Sequence, residues 1–391
     1  MLTPAEAIEN AIGAARVLPS EHVDIRQSLG RVLAEDVISD IDMPPFDKSA
    51  MDGFACRRAD LADELTVIEV IPAGSRPERT VGIGECSKIM TGGMVPRGAD
   101  CVVMKEYAEI VSEGRIRFTG EKTSDNICGM GEDAKAGDIV LKKGTLLRAQ
   151  HIAVLASFGQ ATPLVARRPR VAVIATGNEL VDPALKPDIS QIRNSNSFQI
   201  AAQIEQAGAV AEDYGAVADT VEAIDAAFKK AIDNSDVVIV SGGVSEGDFD
   251  LVPQVMKQND VDLLFERIAI KPGKPTVFGV SKKGYCFGLP GNPVSTFVLF
   301  ERLCKPFLYK LMGHNYRPVN IQMPLDGPLL SKNTERQRWF PVVITEKGTV
   351  KPVEYHGSAH INALCSAEGL ICVDIGVSRI DKGTLVPVRL I

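Results

Sequence analysis

Residues 236–250 read DVVIVSGGVSEGDFD: an unbroken apolar run from Val237 to Val240, the glycine pair Gly242 and Gly243, then Glu246, Asp248 and Asp250. A strand apolar on both faces is covered on both sides, which is the mark of a parallel sheet layered between helices. The flanking sequence repeats the theme. RVAVIAT (170–176), SFQIAAQIEQAG (197–208), AEDYGAV (211–217), TVEAIDAAFKKAID (220–233) and DLVPQVMKQN (250–259) alternate strand and helix periods around it. PTVFGV (275–280) and GYCFGLP (284–290) add two strands before a helix starting at Asn292. The segment therefore reads as a doubly wound α/β domain.

Outside that domain the texture changes. Residues 4–16 have the spacing of an amphipathic helix opened by a capping box from Thr3 and Glu6, and a second helix is expected near Ile25. From about residue 40 to 140, TVIEVI, CSKIM, CVVMK, RIRFT and DIVL are short strands between Gly and Pro turns, read as antiparallel β modules. HIAVLASFG (151–159) is a helix, and ARRPR (166–170) reads as a stiff basic hinge. After Arg317 the strands RWFPVVI, GTVKPV, GLICVDI and TLVPVRLI predict a C-terminal β-barrel or sandwich. The expected division is 1–43 with 141–169 as a helical linking domain, 44–140 β-rich, 170–312 α/β and 317–391 β. The fold class is multidomain α/β.

Composition sets the limits. With 391 residues, a prior of roughly 150 residues per domain gives two or three domains. A 45% hydrophobic and 24% charged chain is an ordinary globular one, and a net charge of -7 argues against a broad nucleic-acid or anionic-membrane face. The eight cysteines never form CxxC, so they read as reduced thiols rather than a disulfide frame or zinc site. No signal peptide and no membrane span are read, and the expected location is the cytoplasm.

In open α/β sheets, ligands bind beyond the carboxyl ends of the strands. Five such junctions carry glycine, carboxylate or lysine: Glu179 in TGNEL, Asp219 after YGAV, SGGVSEGDFD, KPGKP (271–275) and LPGNPVS (289–295). Gly242 and Gly243 would let a ligand approach the backbone, and the acidic loop would hold a hard cation bridging phosphates or cap the next helix. Asp219 in DTVE has a capping-box pattern. Lys271 and Lys274 frame a turn, as phosphate binders or as surface lysines. Asn292 with Pro293 is an N-cap whose free N–H groups suit an anion. In PPFDKSAMDGFA (44–55), Asp47, Ser49 and Asp52 sit in a loop that no core requires, aimed outward. MTGGMVP (90–96) offers Thr91 as a donor to an oxyanion, and HGSAH (356–360) is a turn or a plain loop.

Taken in order, PPFDKSAMDGFA, MTGGMVPRGADCVVM, GEDAKAGD, ATGNEL, SGGVSEGDFD, AIKPGKP, LPGNPVS and HGSAH resemble the molybdopterin molybdenumtransferase (MoeA) family across residues 44 to 360. The resemblance implies insertion of molybdenum from molybdate into adenylylated molybdopterin, with release of AMP and molybdenum cofactor. It implies Mg2+, with magnesium against zinc left open, and a homodimer whose site is shared between subunits, with a molybdopterin adenylyltransferase as a partner. By resemblance, Asp52, Glu179, Asp219, Asp250, Lys271 and Lys274 are catalytic. Thr91, Asp133, Gly242, Gly243, Ser245, Pro290, Asn292, Pro293, Arg336 and Ser358 bind the pterin and its phosphates. Glu179, Asp248 and Asp250 hold the metal. Asn178, Cys128 and Pro341 depart from the family pattern, the last two where arginine is common. The competing reading is a non-catalytic scaffold of the same fold that grips a receptor peptide.

Overall fold

The computed structural model describes residues 1–244, 251–331, 334–354 and 357–391. Its centre is the α/β unit. The strands are β1 (Arg170–Thr176), β2 (Val210–Val217), β3 (Val237–Ser241), β4 (Asp262–Arg267), β5 (Pro275–Val280) and β6 (Tyr285–Leu289), in the order β2-β1-β3-β6-β5-β4. The helices are α1 (Asn196–Gln206), α2 (Val221–Asn234), α3 (Leu251–Gln258) and α4 (Pro293–Leu299). From β2 through β6 the pairing is parallel, as the apolar strands predict. The last two pairs, β6 with β5 and β5 with β4, are antiparallel. Strand β4 was not expected from the sequence, because DLLFER alternates with charge and its burial falls mainly on Phe265.

Both faces of this sheet are packed. One buries Val238, Val240, Ile224, Phe228 and Met256 under α2 and α3. The other buries Phe278, Phe287 and Phe307 with ring centroids 4.7 to 5.4 Å apart, plus Ala7 and Ala11 from the first helix. That helix, Pro4–Ala14, has the expected capping box from Thr3 and Glu6, and it packs on the α/β core. Truncation of Phe287 to Ala is expected to cost about 3–5 kcal/mol in urea unfolding, since its ring is fully buried among aromatic neighbours that cannot collapse inward.

Three expectations for the N-terminal half are corrected. Near Ile25 the chain makes one 3-10 turn, Ile25–Gln27, capped by Asp24, and no further helix. The 44–140 sheet is mixed: Glu64–Ile71 runs parallel to Glu85–Ile89, because a crossover loop replaces a hairpin between them. Nor is ARRPR a hinge. Leu164–Ala166 pairs with Ser20–His22, and Arg167 grips Asp236 through two bonds of 2.7 and 3.0 Å at the start of β3. A bidentate guanidinium–carboxylate pair fixes orientation as well as distance. The junction is pinned from both sides.

C-terminal to the α/β unit, a sheet runs in the order Ile270–Lys271, Gln337–Ile344, Gly369–Val373, Leu385–Leu390, Asn320–Pro324. Its first member belongs to the loop between β4 and β5, so one backbone ladder joins the two units. Half-buried Arg302 reinforces the joint by lying 4.2 Å from the ring centroid of Trp339. Burial, then the charge of Arg389, pulls the Arg302 guanidinium down to about 10. Among the described residues no helix is long and apolar enough to cross a membrane, and all eight cysteines are unpaired.

Candidate active site

The carboxyl ends of β1 and β3 lie side by side because the chain has glycine where they meet. Gly242 has φ 102°, and a Cβ there would stand 2.6 Å from both the carbonyl and hydroxyl oxygens of Thr176. Only hydrogen fits, as the glycine pair in the sequence anticipates. Asn196, at the head of α1, donates to Ser241 Oγ and to the Gly291 carbonyl, both at 2.8 Å, which fixes the LPGNP turn over the same edge.

A cavity of about 720 Å³ opens beyond this edge, between the α/β unit and the C-terminal sheet. Of the residues singled out from sequence, Gly243, Lys271, Lys274, Pro290, Asn292, Arg336 and Ser358 line it. Arg338, Trp339 and Phe340 line it as well. Arg338 was not anticipated. The only available signal was an arginine opening the apolar strand RWFPVVI, and its place beside the cavity depends on the ladder with Ile270–Lys271. In that ladder Lys271 stands directly opposite Arg338. Like charges facing across a sheet repel. Burial, then Arg338 and Arg336, hold the Lys271 ammonium below its ordinary value of 10.5. Among the described residues no carboxylate forms an ion pair with Lys271, Arg336 or Arg338. The guanidinium of Arg338 instead lies 4.8 Å from the Phe340 ring centroid.

Other expectations need revision. Asn292 is the backbone N-cap of α4 but makes no capping bond with its side chain, and the Val294 N–H is already taken by the Ser358 carbonyl at 3.0 Å. The free donors expected there are thus reduced, and the Asn292 amide is left at the cavity instead. Asp219 does not cap α2. Thr220 does, accepting from Ala223 N–H, and Asp219 lies one residue before the cap with its Oδ1 buried and unpartnered among the described residues. Its N–H donates to Asn178 Oδ1 at 3.1 Å. Asn178 therefore supplies the same acceptor oxygen that an aspartate would. Glu179 is exposed just past β1, and neither it nor Asp219 lines the cavity. Ser245, Asp248 and Asp250 lie outside the described residues, as does His356.

The motif at 44–55 divides in two. Asp47 is exposed but accepts from Met130 N–H at 2.8 Å, and Ser49 is buried, donating to the Met51 carbonyl, so both shape the turn. Gly53–Cys56 is a core strand, contrary to the expectation that no core needs this stretch. Asp52 is half-exposed. It accepts from Thr91 N–H at 2.8 Å and Thr91 Oγ at 2.9 Å, with Lys105 Nζ 3.4 Å away. The Thr91 hydroxyl is thus committed to Asp52 and is no free oxyanion donor. The backbone bond from Thr91, then its hydroxyl, then Lys105, keep the Asp52 carboxyl below its ordinary range. Thr91→Val is expected to move the Asp52 pKa upward in an NMR titration, and an unchanged value would contradict the contribution of the hydroxyl. Asp133 lies at a separate cavity with Met43 and Phe158.

Comparison with known proteins decides the family. Residues 2–159 match "MoeA N-terminal region (domain I and II)", residues 172–310 match "Probable molybdopterin binding domain" and residues 329–391 match "MoeA C-terminal region (domain IV)". The chain is 40% identical to the molybdopterin molybdenumtransferase of Staphylococcus aureus strain Mu50 over 396 residues, covering 98% of this chain and 94% of that one. The chain belongs to the MoeA family. A second MoeA relative, the molybdopterin molybdenumtransferase of Staphylococcus epidermidis RP62A, is 37% identical over 398 residues, with 98% and 94% covered. The MoeA protein of Pyrococcus horikoshii OT3 superimposes with a TM-score of 0.87 at 29% identity, covering all of both chains. As a MoeA chain, this protein has its α/β unit where the family has its molybdopterin-binding domain.

Proposed function

We propose that this chain inserts molybdenum from molybdate into adenylylated molybdopterin and releases AMP, and that the cavity between the α/β unit and the C-terminal sheet is where the oxyanions sit. The observation that carries the reading is Lys271 facing Arg338 across a ladder, with Arg336 beside them and no carboxylate counter-ion among the described residues. Such an arrangement is unfavourable until an anion enters. The ammonium and guanidinium groups would bind phosphate or molybdate oxygens, with Lys274 on the same turn. Ser358 and the Asn292 amide would orient the ligand. As AMP leaves, the charge that builds on the severed phosphoanhydride falls to these preorganised cations.

Magnesium belongs to this proposal. Among the described residues no group of three His, Cys, Asp or Glu is arranged to hold a metal. The buried, unpaired Oδ1 of Asp219 and the exposed carboxylate of Glu179 nonetheless suit a cation that takes one or two carboxylates plus substrate phosphates. By the family resemblance, Asp248 and Asp250 would be further ligands. The ion would supply Lewis-acid stabilisation of phosphate charge.

The homodimer is likewise proposed. Asp52 with Thr91 and Lys105 forms an exposed cluster that does not line the cavity of its own chain. The segment after Glu179 exposes Leu185, Ile189 and Ile192, and α1 exposes Phe198, apolar side chains suited to a second copy. Asp52 would then serve the partner's cavity. The proposal retains the division 1–43 with 141–169, 44–140, 170–312 and 317–391, a cytoplasmic location, and supply of substrate by a molybdopterin adenylyltransferase. The receptor-binding scaffold has no observation in its favour. The reading is tested by incubating the chain with adenylylated molybdopterin and magnesium: AMP should appear on addition of molybdate, and a reaction indifferent to molybdate would leave only a hydrolase.

A further inference from the structure

A second cationic cavity lies far along the chain from the first, where the 141–151 segment meets the end of the α/β unit. It has a volume of about 820 Å³ and is lined by Lys142, Lys143, Arg148, His151, His314 and Arg317 together with small and neutral residues, and no carboxylate lines it. This is a local positive focus on a chain whose net charge is -7. Among the described residues none of Lys142, Lys143, Arg148 and Arg317 is in an ion pair. Elsewhere on the surface, lysines and arginines of this chain do find carboxylates, as Lys229 does with Asp225 and Lys283 with Asp233.

The neutral groups also present donors. His151 Nδ1 accepts from Arg148 N–H at 3.0 Å, so its proton is on Nε2. His314 faces the Gly144 carbonyl through Nδ1 at 2.8 Å, which requires that nitrogen to donate and ties the two sides of the cavity together. Arg148 is the N-cap of the helix Ala149–Ser157, and among the described residues no acceptor meets the Ala149 or Gln150 N–H. Four fixed cations and the positive end of a nine-residue helix at one opening exceed the charge of a monophosphate.

We infer that this cavity is a second anion site, separate from the proposed active site, which binds a chain of two or three phosphates. The phosphate chain is the shared chemistry of inorganic tripolyphosphate and of a nucleoside triphosphate. Guanidinium forks of Arg148 and Arg317 would take terminal oxygens, and Lys142 and Lys143 would screen the bridging region.

The test uses the full chain carrying Lys271→Met and Arg338→Met, which silences the first cavity, with tripolyphosphate titrated calorimetrically at low salt. One ion per chain should bind more tightly than about 1 mM, and adding Lys142→Gln and Arg317→Gln should weaken it by about tenfold or more. No binding in the first variant, or binding indifferent to the added changes, overturns the inference. ATP in place of tripolyphosphate should bind with similar affinity, whereas binding of ATP alone would assign recognition to the nucleoside and overturn the phosphate reading. Because a multiple variant can misfold, tripolyphosphate should also shield Lys142 and Lys143 of the unaltered protein from acetic anhydride, read by mass spectrometry. Equal acetylation with and without it counts against the site. On the unaltered background, Lys142→Gln with Arg317→Gln should leave molybdate-dependent AMP release unchanged, so this test fails or succeeds independently of the proposed activity.

Discussion

Replacing Lys271 and Arg338 together by Met is expected to lower molybdate-dependent AMP release by about three orders of magnitude, since one preorganised donor at a developing oxyanion accounts for roughly 100- to 1,000-fold. The same double change should not destabilise the protein. The two charges face each other across a ladder, and the Lys271 ammonium is held below 10.5 by burial, Arg338 and Arg336. A lysine whose folded pKa is depressed weakens the folded state while it is protonated. Between the lowered folded value and the unfolded one, the unfolded chain binds more protons, so stability rises with pH across that alkaline window. Removing Lys271 should flatten that rise in pH-dependent urea unfolding. A variant that loses activity and holds or gains stability is the signature of charges placed for a ligand. A variant that loses both would mean that the pair serves the fold.

Gly53→Ala should be the most damaging small substitution in the N-terminal half. Gly53 lies between two strands, opposite Ile89 on one side and Met104 on the other. A Cβ at Gly53 would stand 1.9 Å from the Val103 carbonyl oxygen, closer than any contact that side-chain adjustment relieves. The strands must part, at an expected cost of about 3–5 kcal/mol in urea unfolding. The displacement would also carry Asp52 away from Thr91 and Lys105, so its carboxyl should return toward its ordinary range. Gly348→Ala is the control: it has φ 70° with open space around it, so only the left-handed backbone cost of about 1 kcal/mol applies.

The α/β unit was legible because its signals are local. Continuous apolar strands, capped amphipathic helices and glycines at strand ends each announce themselves within a few residues. What the sequence left open depends on partners distant along the chain. Asp47 read as free for a ligand because the Met130 N–H that it binds is 83 positions away, across a fold that local pattern does not encode. Arg167 read as hinge because Asp236 is 69 positions away. Arg338 was missed for the same reason: its place beside Lys271 exists only once the loop between β4 and β5 joins the C-terminal sheet. The assignment of Asp219 to a cap went to the wrong residue of a correct pattern, since Thr220 is the residue with extended backbone and an oxygen reaching Ala223. A one-residue shift freed a carboxylate.

The central claim is that the charge of Lys271, Arg336 and Arg338 is answered by an oxyanion in the cavity beneath Ser358 and Asn292. Crystals of the protein soaked in molybdate, with anomalous scattering recorded at the molybdenum edge, test it most directly. A molybdenum peak among those side chains is the predicted result. Molybdenum seated elsewhere, with this cavity holding only water at saturating molybdate, would contradict it.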